Sequence, residues 1–374
     1  MSFTAADHEF MARALQLARR GLYTATPNPR VGCVVVRDGA VIGEGWHERA
    51  GESHAEINAL SAIVSAGGTA KGATAYVTLE PCSHFGRTPP CADALIAAGV
   101  SRVVAAMRDP NPQVAGEGLA KLAGKGIAVE SGLMESDARE LNIGFVSRMT
   151  RGRPWLRLKA ASSLDGRTAL NNGVSQWITG PDARRDVHAW RARACAVLTG
   201  YGTVKMDDPQ LTVREVETTR QPLRVVVDSK LRVSPSARIC NGGELSGRLL
   251  IVTAVEDESR AAPLRMRGVE VLALPGTRPE ASGKVDLAAL LETLAQRGIN
   301  EVHVEAGHRL SGALLSEGLV DELLIYLAPT LLGDRARGLV ALPEFVDLSE
   351  RHDLDILDLR RVGRDLRILA RPSA

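Results

Sequence analysis

The sequence has few aromatic side chains and no excess of charge of either sign. Aromatic residues make up 3% of its 374 residues, which argues against the base-stacking platforms of proteins that bind single-stranded nucleic acid. Lysine and arginine total 46 against 44 aspartate and glutamate residues, so the net charge of +2 creates no strong field for a phosphate backbone. We therefore expect no nucleic-acid partner.

Long hydrophobic runs and abundant cysteines are also missing. No segment approaches the roughly 18 apolar residues that a membrane span needs. The N-terminal stretch carries Asp7 and Glu9 where a secretory signal would have a continuous apolar core. Of the five cysteines, Cys33 and Cys195 lie in apolar, strand-like runs, where buried free thiols are the better interpretation. We expect no membrane association and a reducing, cytoplasmic location.

An apolar content of 45% over this length is enough for two domains of ordinary size. Helix-like and strand-like segments alternate in both halves, which predicts α/β folds, the first of them a three-layer domain. The polar stretch 150–154 contains a proline and lacks periodicity, and is the best candidate linker. We place one domain at 1–149, closed by a single helix over 136–149, and a second at 153–374.

The first domain contains a set of metal-ligand residue types. The tripeptide His54-Ala55-Glu56 is followed by Cys82, which a proline precedes, and then by Cys91. One imidazole and two thiols are a complete protein ligand set for a catalytic zinc, which lowers the pKa of a water in the fourth position to about 7. Glu56 is placed to exchange protons with that water without binding the metal. This pattern is very similar to the H-x-E and P-C-x-x-C signature of zinc deaminases and predicts hydrolytic deamination.

The spacing of the two cysteines departs from that signature. Eight residues separate Cys82 from Cys91, so the intervening chain must form a loop. The loop presents His84 and Arg87, which we expect to contact the substrate. The alternative is a closed, structural zinc site, for which His84 is the nearest candidate fourth ligand.

Asn28 stands between Pro27 and Pro29, which hold it rigidly. A side-chain amide fixed in this way can present a donor and an acceptor to the edge of a heterocycle. The alternative is an ordinary turn residue that binds nothing.

Two strands of the second domain are predicted to end in turns that contain glycine. Gly200–Val204 follows a strand at 196–199, and Glu305–Gly312 follows a strand at 301–305 and precedes a helix. A strand, a turn of small residues and a helix start expose backbone N–H groups that can bind cofactor phosphate. Neither turn matches G-x-G-x-x-G, and most glycine turns bind nothing, so this pattern alone leaves a nucleotide site open.

Seven motifs cover nearly the full length of the chain. In order they are Thr26–Gly32, His47–Glu56, Pro81–Cys91, Ser163–Arg167, Ser175–Thr179, Asp207–Arg214 and Val304–Gly307. This set resembles the family of bifunctional riboflavin-biosynthesis deaminase/reductases. The resemblance implies an N-terminal cytidine-deaminase-like three-layer α/β/α domain with Zn²⁺, followed by a dihydrofolate-reductase-like α/β domain that uses NADPH.

The same resemblance implies two successive reactions on one small molecule. A phosphoribosylaminopyrimidine, 2,5-diamino-6-(5-phosphoribosylamino)pyrimidin-4(3H)-one, would be deaminated to 5-amino-6-(5-phosphoribosylamino)uracil. The ribose would then be reduced to a ribityl chain. We also expect the enzyme to be a homo-oligomer.

Site residues follow from matching this chain to the family motifs. Zinc would be bound by His54, Cys82 and Cys91, with Glu56 as the catalytic proton carrier. The substrate of the deaminase would be held by Asn28, His47, His84 and Arg87. The residues that line the NADPH site would be Ala161, Trp177, Thr203, Asp207, Ser229, Gly307, His308, Arg309, Leu310, Ser311, Gly312 and Ala313. The substrate of the reductase would be faced by Lys159, Ser175, Arg191, Leu211, Arg214 and Glu305.

Some of these assignments have plain alternatives in physical terms. Arg191 and Arg214 suit phosphate because guanidinium forks bind its oxygens bidentately, although surface arginines usually face solvent. Trp177 would more often be a core residue, and Lys159 a surface lysine at a strand end.

Two other classes of function compete with the bifunctional enzyme. A polynucleotide-editing deaminase would share the zinc motif, but it would carry a basic groove and would leave the second domain unexplained. A non-enzymatic binding protein built on the same folds would be expected to lack the glutamate or a metal ligand, and all four residues are present.

Overall fold

The computed structural model describes residues 3–84, 89–112, 114–241, 247–277 and 282–373. The chain divides into two compact units, Met1–Gly152 and Arg153–Ala374. Each unit has its own sheet and its own hydrophobic core. Within the described ranges, no helix combines the length and the apolar character needed to cross a membrane.

The first unit contains a five-stranded mixed sheet. Its strands are β1 (Gly32–Arg37), β2 (Ala40–Trp46), β3 (Thr74–Val77), β4 (Arg102–Ala105) and β5 (Ala128–Ser131). They lie in the order β2-β1-β3-β4-β5, with β1 antiparallel to both neighbours and β3, β4 and β5 parallel. The hairpin between β1 and β2 turns at Asp38 and Gly39, both with positive φ, a conformation that an Asp-Gly pair favours.

Helices cover both faces of this sheet. They are α1 (Ala5–Arg20), α2 (Ala55–Ser65), α3 (Cys91–Ala98), α4 (Glu117–Ala123), α5 (Glu135–Leu141) and α6 (Ile143–Arg151). Side chains alternate along β1, so Val34 and Val36 join the core with α1, α5 and α6, whereas Cys33 and Val35 join the core with α2, α3 and α4. The predicted three-layer α/β/α architecture is confirmed.

The prediction of one continuous helix over 136–149 is wrong, because the chain breaks at Asn142 between α5 and α6. The backbone N–H of Arg30 donates to Asn142 Oδ1 at 2.8 Å, and Asn142 Nδ2 donates to the Arg30 carbonyl at 2.9 Å. The Arg30 guanidinium also donates to the carbonyl of Leu141 at 2.7 Å. These bonds replace helical continuity and fasten the turn that carries Asn28.

The second unit contains a nine-stranded sheet and a separate two-stranded pair. The strands are β6 (Trp155–Ser163), β7 (Arg167–Ala169), β8 (Ala196–Gly200), β9 (Leu223–Val227), β10 (Leu249–Thr253), β11 (Glu270–Ala273), β12 (Glu301–Val304), β13 (Glu322–Ala328), β14 (Arg337–Gly338), β15 (Leu354–Val362) and β16 (Asp365–Pro372). The large sheet has the order β11-β10-β9-β8-β12-β6-β13-β16-β15, and β7 pairs with β14. The strands β11, β10, β9, β8, β12, β6 and β13 are mutually parallel. The hairpin of β16 and β15 follows, with β16 antiparallel to β13.

Helices of the second unit connect its parallel strands. They are α7 (Pro181–Arg193), α8 (Tyr201–Asp207), α9 (Glu258–Arg265), α10 (Leu287–Gln296) and α11 (His308–Ser316). Buried leucines of α10 pack in the main core with β6 and β12, and each such side chain contributes about 1.5–3 kcal/mol of burial free energy. Because the carboxyl ends of parallel strands meet at one edge, the turns after β8 and β12 lie side by side there.

Candidate active sites

The three predicted zinc ligands meet at helix starts in the first unit. His54 is the residue before α2, Cys91 opens α3, and Cys82 lies in the loop that follows β3. The His54 Nδ1 atom is 3.3 Å from Cys91 Sγ and 3.6 Å from Cys82 Sγ. All three ligand atoms lie within 4.8 Å of one another, so the sequence-predicted ligand set forms one cluster.

The cluster fits a zinc ion by geometry and by donor type. Nitrogen and sulfur ligands at zinc bond lengths in a tetrahedron are about 3.6 Å apart, which is the spacing found here. One imidazole and two thiols also suit zinc better than the oxygen-seeking Mg²⁺ or Ca²⁺. Among the described residues the cluster has three members, and the exposed His84 is not one of them. This arrangement matches a catalytic site with an open position and not a closed structural one.

Glu56 lies in the first turn of α2 and is 3% exposed. Burial raises the pKa of its carboxyl group to about 7, and the neighbouring Cys82 acts in the same direction while His54 opposes it. A carboxyl group that titrates near neutral pH can both accept and return a proton. Glu56 is therefore a candidate for the predicted role of proton carrier.

Asn28 and His47 form a hydrogen-bonded pair next to the metal ligands. His47 Nδ1 is 3.0 Å from the carbonyl oxygen of Ser53, which can only accept, so this nitrogen carries the proton. His47 Nε2 therefore accepts from the Asn28 amide nitrogen, which is 3.0 Å away. The rings of His47 and His54 meet edge to face at 5.4 Å between centroids. The Asn28 oxygen is the half of the amide that does not engage His47.

The loop between the two cysteines is described only in part. His84 is exposed at its start, which is consistent with a contact to a bound molecule but places it outside the ligand cluster. Arg87 lies outside the described residues.

In the second unit, Arg191 and Glu305 form a partly buried two-pronged ion pair. Arg191 Nε and Nη2 donate to the two carboxylate oxygens of Glu305, the second at 2.9 Å, and Nη1 donates to the Thr212 carbonyl at 3.1 Å. Lys159 lies beside this pair, and its burial lowers the pKa of its ammonium group although Glu305 opposes the shift. The fork of Arg191 is thus directed at Glu305, which leaves Arg214 as the more available cation for phosphate.

Arg214 is exposed, and neighbouring side chains bond to it and to the preceding Val213. Its Nη1 donates to the Thr212 hydroxyl at 3.0 Å, and its backbone N–H donates to His188 Nδ1 at 3.2 Å. The side-chain amide of Gln221 accepts from the Val213 N–H at 2.8 Å and donates to the Val213 carbonyl at 3.0 Å. The segment that carries Arg214 is therefore fixed while its guanidinium faces outward.

The two glycine turns of the second unit lie against each other. A methyl group added at Gly200 would be 3.2 Å from Leu310 Cδ2, and one added at Gly307 would be 3.9 Å from Thr203 Oγ1. Gly307 precedes α11 in an extended conformation, so the first N–H groups of that helix are directed toward this edge. Gly312 instead packs on backbone, because a methyl group there would be 2.0 Å from the carbonyl oxygen of Ala341.

The other predicted cofactor and substrate positions differ in accessibility. Trp177 is 70% exposed, with the Arg184 guanidinium 4.6 Å from its ring centroid, so the core alternative for this residue is wrong. The exposed Asp207 lies 3.5 Å from the Gln176 amide nitrogen, and Ser229 Oγ accepts from the Val285 N–H at 3.2 Å. The remaining positions fall into two groups. The half-buried or exposed residues are Ala161, Ser175, His308, Arg309 and Ala313. The buried residues are Leu211 and Ser311.

Three residues that support these sites were not predicted from the sequence. Glu80, His188 and Gln221 hold backbone next to the predicted site residues. Glu80 immediately precedes the Pro-Cys pair, so its position in the motif was an available signal. His188 and Gln221 lie in no motif and become recognisable only through their contacts.

Comparison with known proteins assigns both units. The family model of the cytidine and deoxycytidylate deaminase zinc-binding region matches residues 4–107, and that of the RibD C-terminal domain matches residues 154–368. The riboflavin biosynthesis protein RibD of Escherichia coli K12 is 52% identical over 372 residues, covering 96% of this chain and 98% of the relative.

Solved structures give the same result. Acinetobacter baumannii RibD superposes with a TM-score of 0.88 at 44% identity, covering 98% of this chain and 99% of that one. The diaminohydroxyphosphoribosylaminopyrimidine deaminase/5-amino-6-(5-phosphoribosylamino)uracil reductase of Thermotoga maritima superposes with a TM-score of 0.86 at 34% identity, with coverages of 98% and 99%. The predicted cytidine-deaminase-like and reductase folds are confirmed, and the chain belongs to the family of the riboflavin biosynthesis protein RibD.

Proposed function

We propose that this chain catalyses two successive steps of riboflavin biosynthesis. The first is hydrolytic deamination of 2,5-diamino-6-(5-phosphoribosylamino)pyrimidin-4(3H)-one, and the second is NADPH-dependent reduction of the ribose of the resulting uracil to a ribityl chain. The observation that carries the proposal is the three-ligand cluster with the buried Glu56 beside it, in a chain whose second unit belongs to the reductase family. The relative from Thermotoga maritima carries both activities in its name.

In the deaminase unit, His54, Cys82 and Cys91 would hold the zinc, which when bound supplies an activated water at neutral pH. Glu56 accepts a proton on its carboxylate and returns it to the departing amine. Burial of Glu56 supports this role, since it brings the pKa of the carboxyl group to about 7.

Asn28 and His47 would orient the pyrimidine in the deaminase pocket. The Asn28 oxygen accepts from an amino group of the ring, because the amide nitrogen is engaged by His47. His84 and Arg87 would hold the phosphoribosyl arm, whose negative charge suits a guanidinium.

In the reductase unit, Arg214 would bind the substrate phosphate, and the ion pair of Arg191 with Glu305 would face the ribose together with Lys159, Ser175 and Leu211. NADPH supplies the hydride. It would lie along Ala161, Trp177, Thr203, Asp207, Ser229 and the turn 307–313, where the start of α11 offers N–H groups to its phosphates. The exposed ring of Trp177 supports this placement, because it is available to stack on a planar group.

We further propose that the chain forms a homo-oligomer through its second unit. Strand β15 is at the edge of the large sheet, and its apolar residues Ile356, Leu357 and Leu359 are exposed. Unpaired strand edges with exposed apolar side chains favour pairing with another chain. Light scattering of the protein and of an Ile356→Glu variant would test this, and a monomeric wild-type protein would contradict it.

The two activities are tested on the zinc-loaded protein with the diaminopyrimidine substrate. Ammonia release and NADPH oxidation, followed in the same sample, are both expected. Release of ammonia from single-stranded DNA or RNA in place of the pyrimidine would favour the polynucleotide-editing alternative. Substrate binding without either product would favour the non-enzymatic alternative.

A further inference from the structure

Glu80 is buried, with 5% of its surface exposed, and lies two residues before the metal ligand Cys82. Its carboxylate accepts four backbone N–H bonds. Oε2 accepts from Asp109 at 3.0 Å and from Gly116 at 2.9 Å, and Oε1 accepts from Gly118 at 2.9 Å and from Leu119 at 3.2 Å. One side chain thus holds both ends of a segment whose described residues are 109–112 and 114–119, here called the Asp109–Leu119 segment, and which includes the start of α4.

Steric contact fixes the same segment from a second direction. A methyl group added at Gly118 would lie 1.9 Å from the carbonyl oxygen of Pro81 and 3.2 Å from Glu80 Oε1. Only glycine allows the backbone of α4 to approach the chain before Cys82 so closely. The hydrogen bonds of Glu80 and the missing side chain of Gly118 therefore both allow the start of α4 to pack against the chain before Cys82.

The docked segment forms one side of a crevice at the metal cluster. Glu80, Pro81, Cys82 and Ser83 line this crevice together with Asp109 and Val114 of the docked segment. Because Cys82 is a ligand in the cluster, a shift of the Asp109–Leu119 segment changes the space beside that ligand.

We infer that Glu80 is a positioning residue of the deaminase, which acts by holding the Asp109–Leu119 segment as a wall of the substrate pocket. This inference rests on the proposed deaminase function. Both carboxylate oxygens of Glu80 are bonded to the segment, so its influence on the reaction passes through the wall. Loss of a binding surface that is equally used before and during reaction raises KM and leaves kcat nearly unchanged.

The test uses the full-length, zinc-loaded protein with a Glu80→Gln substitution. The amide keeps the volume of the side chain, but its NH₂ group faces two N–H donors, so two of the four bonds are lost. We expect KM for deamination to rise by about tenfold or more, with kcat changed by less than about threefold. Zinc content and NADPH-dependent reduction of the deaminated substrate should match the wild type.

Gly118→Ala distinguishes an effect of Glu80 that passes through the segment from a direct effect of its carboxylate on the metal cluster. This variant displaces the segment while leaving the Glu80 carboxylate intact, so it should reproduce the rise in KM with zinc retained. Gly124→Ala is the matched control. Gly124 follows α4 at a φ of −63°, and the nearest atom to an added methyl group is 3.4 Å away. The control should behave as the wild type.

Several outcomes would overturn the inference. An effect of Glu80→Gln without an effect of Gly118→Ala would mean that the carboxylate acts directly on the cluster. Loss of zinc in both variants would mean that the segment supports the metal site and not the substrate. Wild-type KM in both variants would remove the positioning role. Failure of the wild-type protein itself to release ammonia would instead contradict the proposed deaminase function.

Discussion

The two candidate sites are assembled from the chain in opposite ways. In the first unit, the metal ligands come from a run of fewer than forty residues, His54 to Cys91, and their donor atoms already lie within 4.8 Å of one another. In the second unit, the predicted residues extend from Lys159 to Ala313 and come from several strand ends, and Trp177, Asp207 and Gly307 are exposed.

The difference reflects the chemistry of the two groups to be bound. A metal ion requires ligand atoms placed to within a few tenths of an ångström, which helix starts next to a short loop provide. A dinucleotide and a phosphorylated sugar are long and flexible, and parallel strand ends offer them backbone N–H groups and outlying cations over a wide edge. The metal site is therefore recognisable from one short stretch of sequence, whereas the second site is spread over motifs that come from several strand ends.

Glu56→Gln should produce the largest difference between the activities of the two sites. An amide cannot carry the proton that the deamination requires, so we expect its rate to fall by about 10²–10⁴-fold with zinc content unchanged. Reduction of the deaminated substrate should continue at the wild-type rate. The exposed Glu135, which pairs with Arg139 on α5, provides the control variant Glu135→Gln. Deamination by Glu56→Gln at near wild-type rates would contradict the proton-carrier role.

Arg214→Ala should produce the reverse pattern. Loss of a charge-assisted contact to phosphate costs about 1.5–3 kcal/mol, which lowers kcat/KM for reduction about ten- to a hundredfold. Deamination by the same preparation should not change. Arg185→Ala is a suitable control, because Arg185 is an exposed arginine of α7 that pairs with Asp182 at 3.3 Å. A parallel fall in both activities would be inconsistent with a phosphate-binding role confined to the second unit.

A smaller effect is expected on the stability of the second unit, which should depend on pH through His188. Burial, followed by the nearby Arg191 and Arg214, lowers the pKa of His188 to about 4 from its ordinary 6.5, with Glu305 opposing the shift. The unfolded chain therefore binds a proton between pH 6.5 and pH 4 that the folded chain does not, so the stabilisation is present above pH 6.5 and is lost as the pH falls.

Lowering the pH from about 7.5 to about 5 should remove about 1–2 kcal/mol of unfolding free energy from the second unit through this residue. His188→Asn keeps an acceptor for the Arg214 N–H and removes the titration. Urea unfolding, followed by hydrogen exchange of α7, should show a flatter pH dependence in the variant. Equal slopes for both proteins would show that His188 does not titrate in this way.

The smallest effect is expected from separating the units. We propose that residues 1–149 and 153–374 are independent domains. A fragment that ends near Thr150 keeps the whole five-stranded sheet and the bonds of Asn142 to Arg30. It should retain zinc and deaminate within about threefold of the full-length rate. Circular dichroism would reveal an unfolded fragment, which would be incompatible with this boundary.

The sequence predicts much of the fold because local patterns decide it. The alternation of helix-like and strand-like segments and the strands predicted at 196–199 and 301–305 identify elements that the structure contains. The break at Asn142 could not be predicted, because an amide in a helical pattern gives no sign of a partner 112 positions away. The C-terminal hairpin of β15 and β16 escaped prediction because its outer strand is largely exposed and lacks a strict alternation.

The residues of the candidate sites likewise divide into those that local sequence predicts and those that depend on distant contacts. His54, Cys82 and Cys91 are recognisable because metal chemistry permits few residue types and few spacings. The ion pair of Arg191 with Glu305 was not predicted, because the two residues are 114 positions apart and either one alone resembles a surface charge. This pairing depends on how α7 packs beside the end of β12, which sequence periodicity does not specify.

The bond between Asn142 and Arg30 also has a consequence for the order in which a growing chain becomes competent. Synthesis proceeds from the N-terminus, and the last metal ligand, Cys91, emerges well before Asn142. The turn that carries Asn28 is fastened only by a residue 112 positions after Arg30. All three metal ligands are therefore synthesised before the residue that fastens the Asn28 turn, so the part of the site proposed to hold the pyrimidine is the last part of the deaminase unit to be completed.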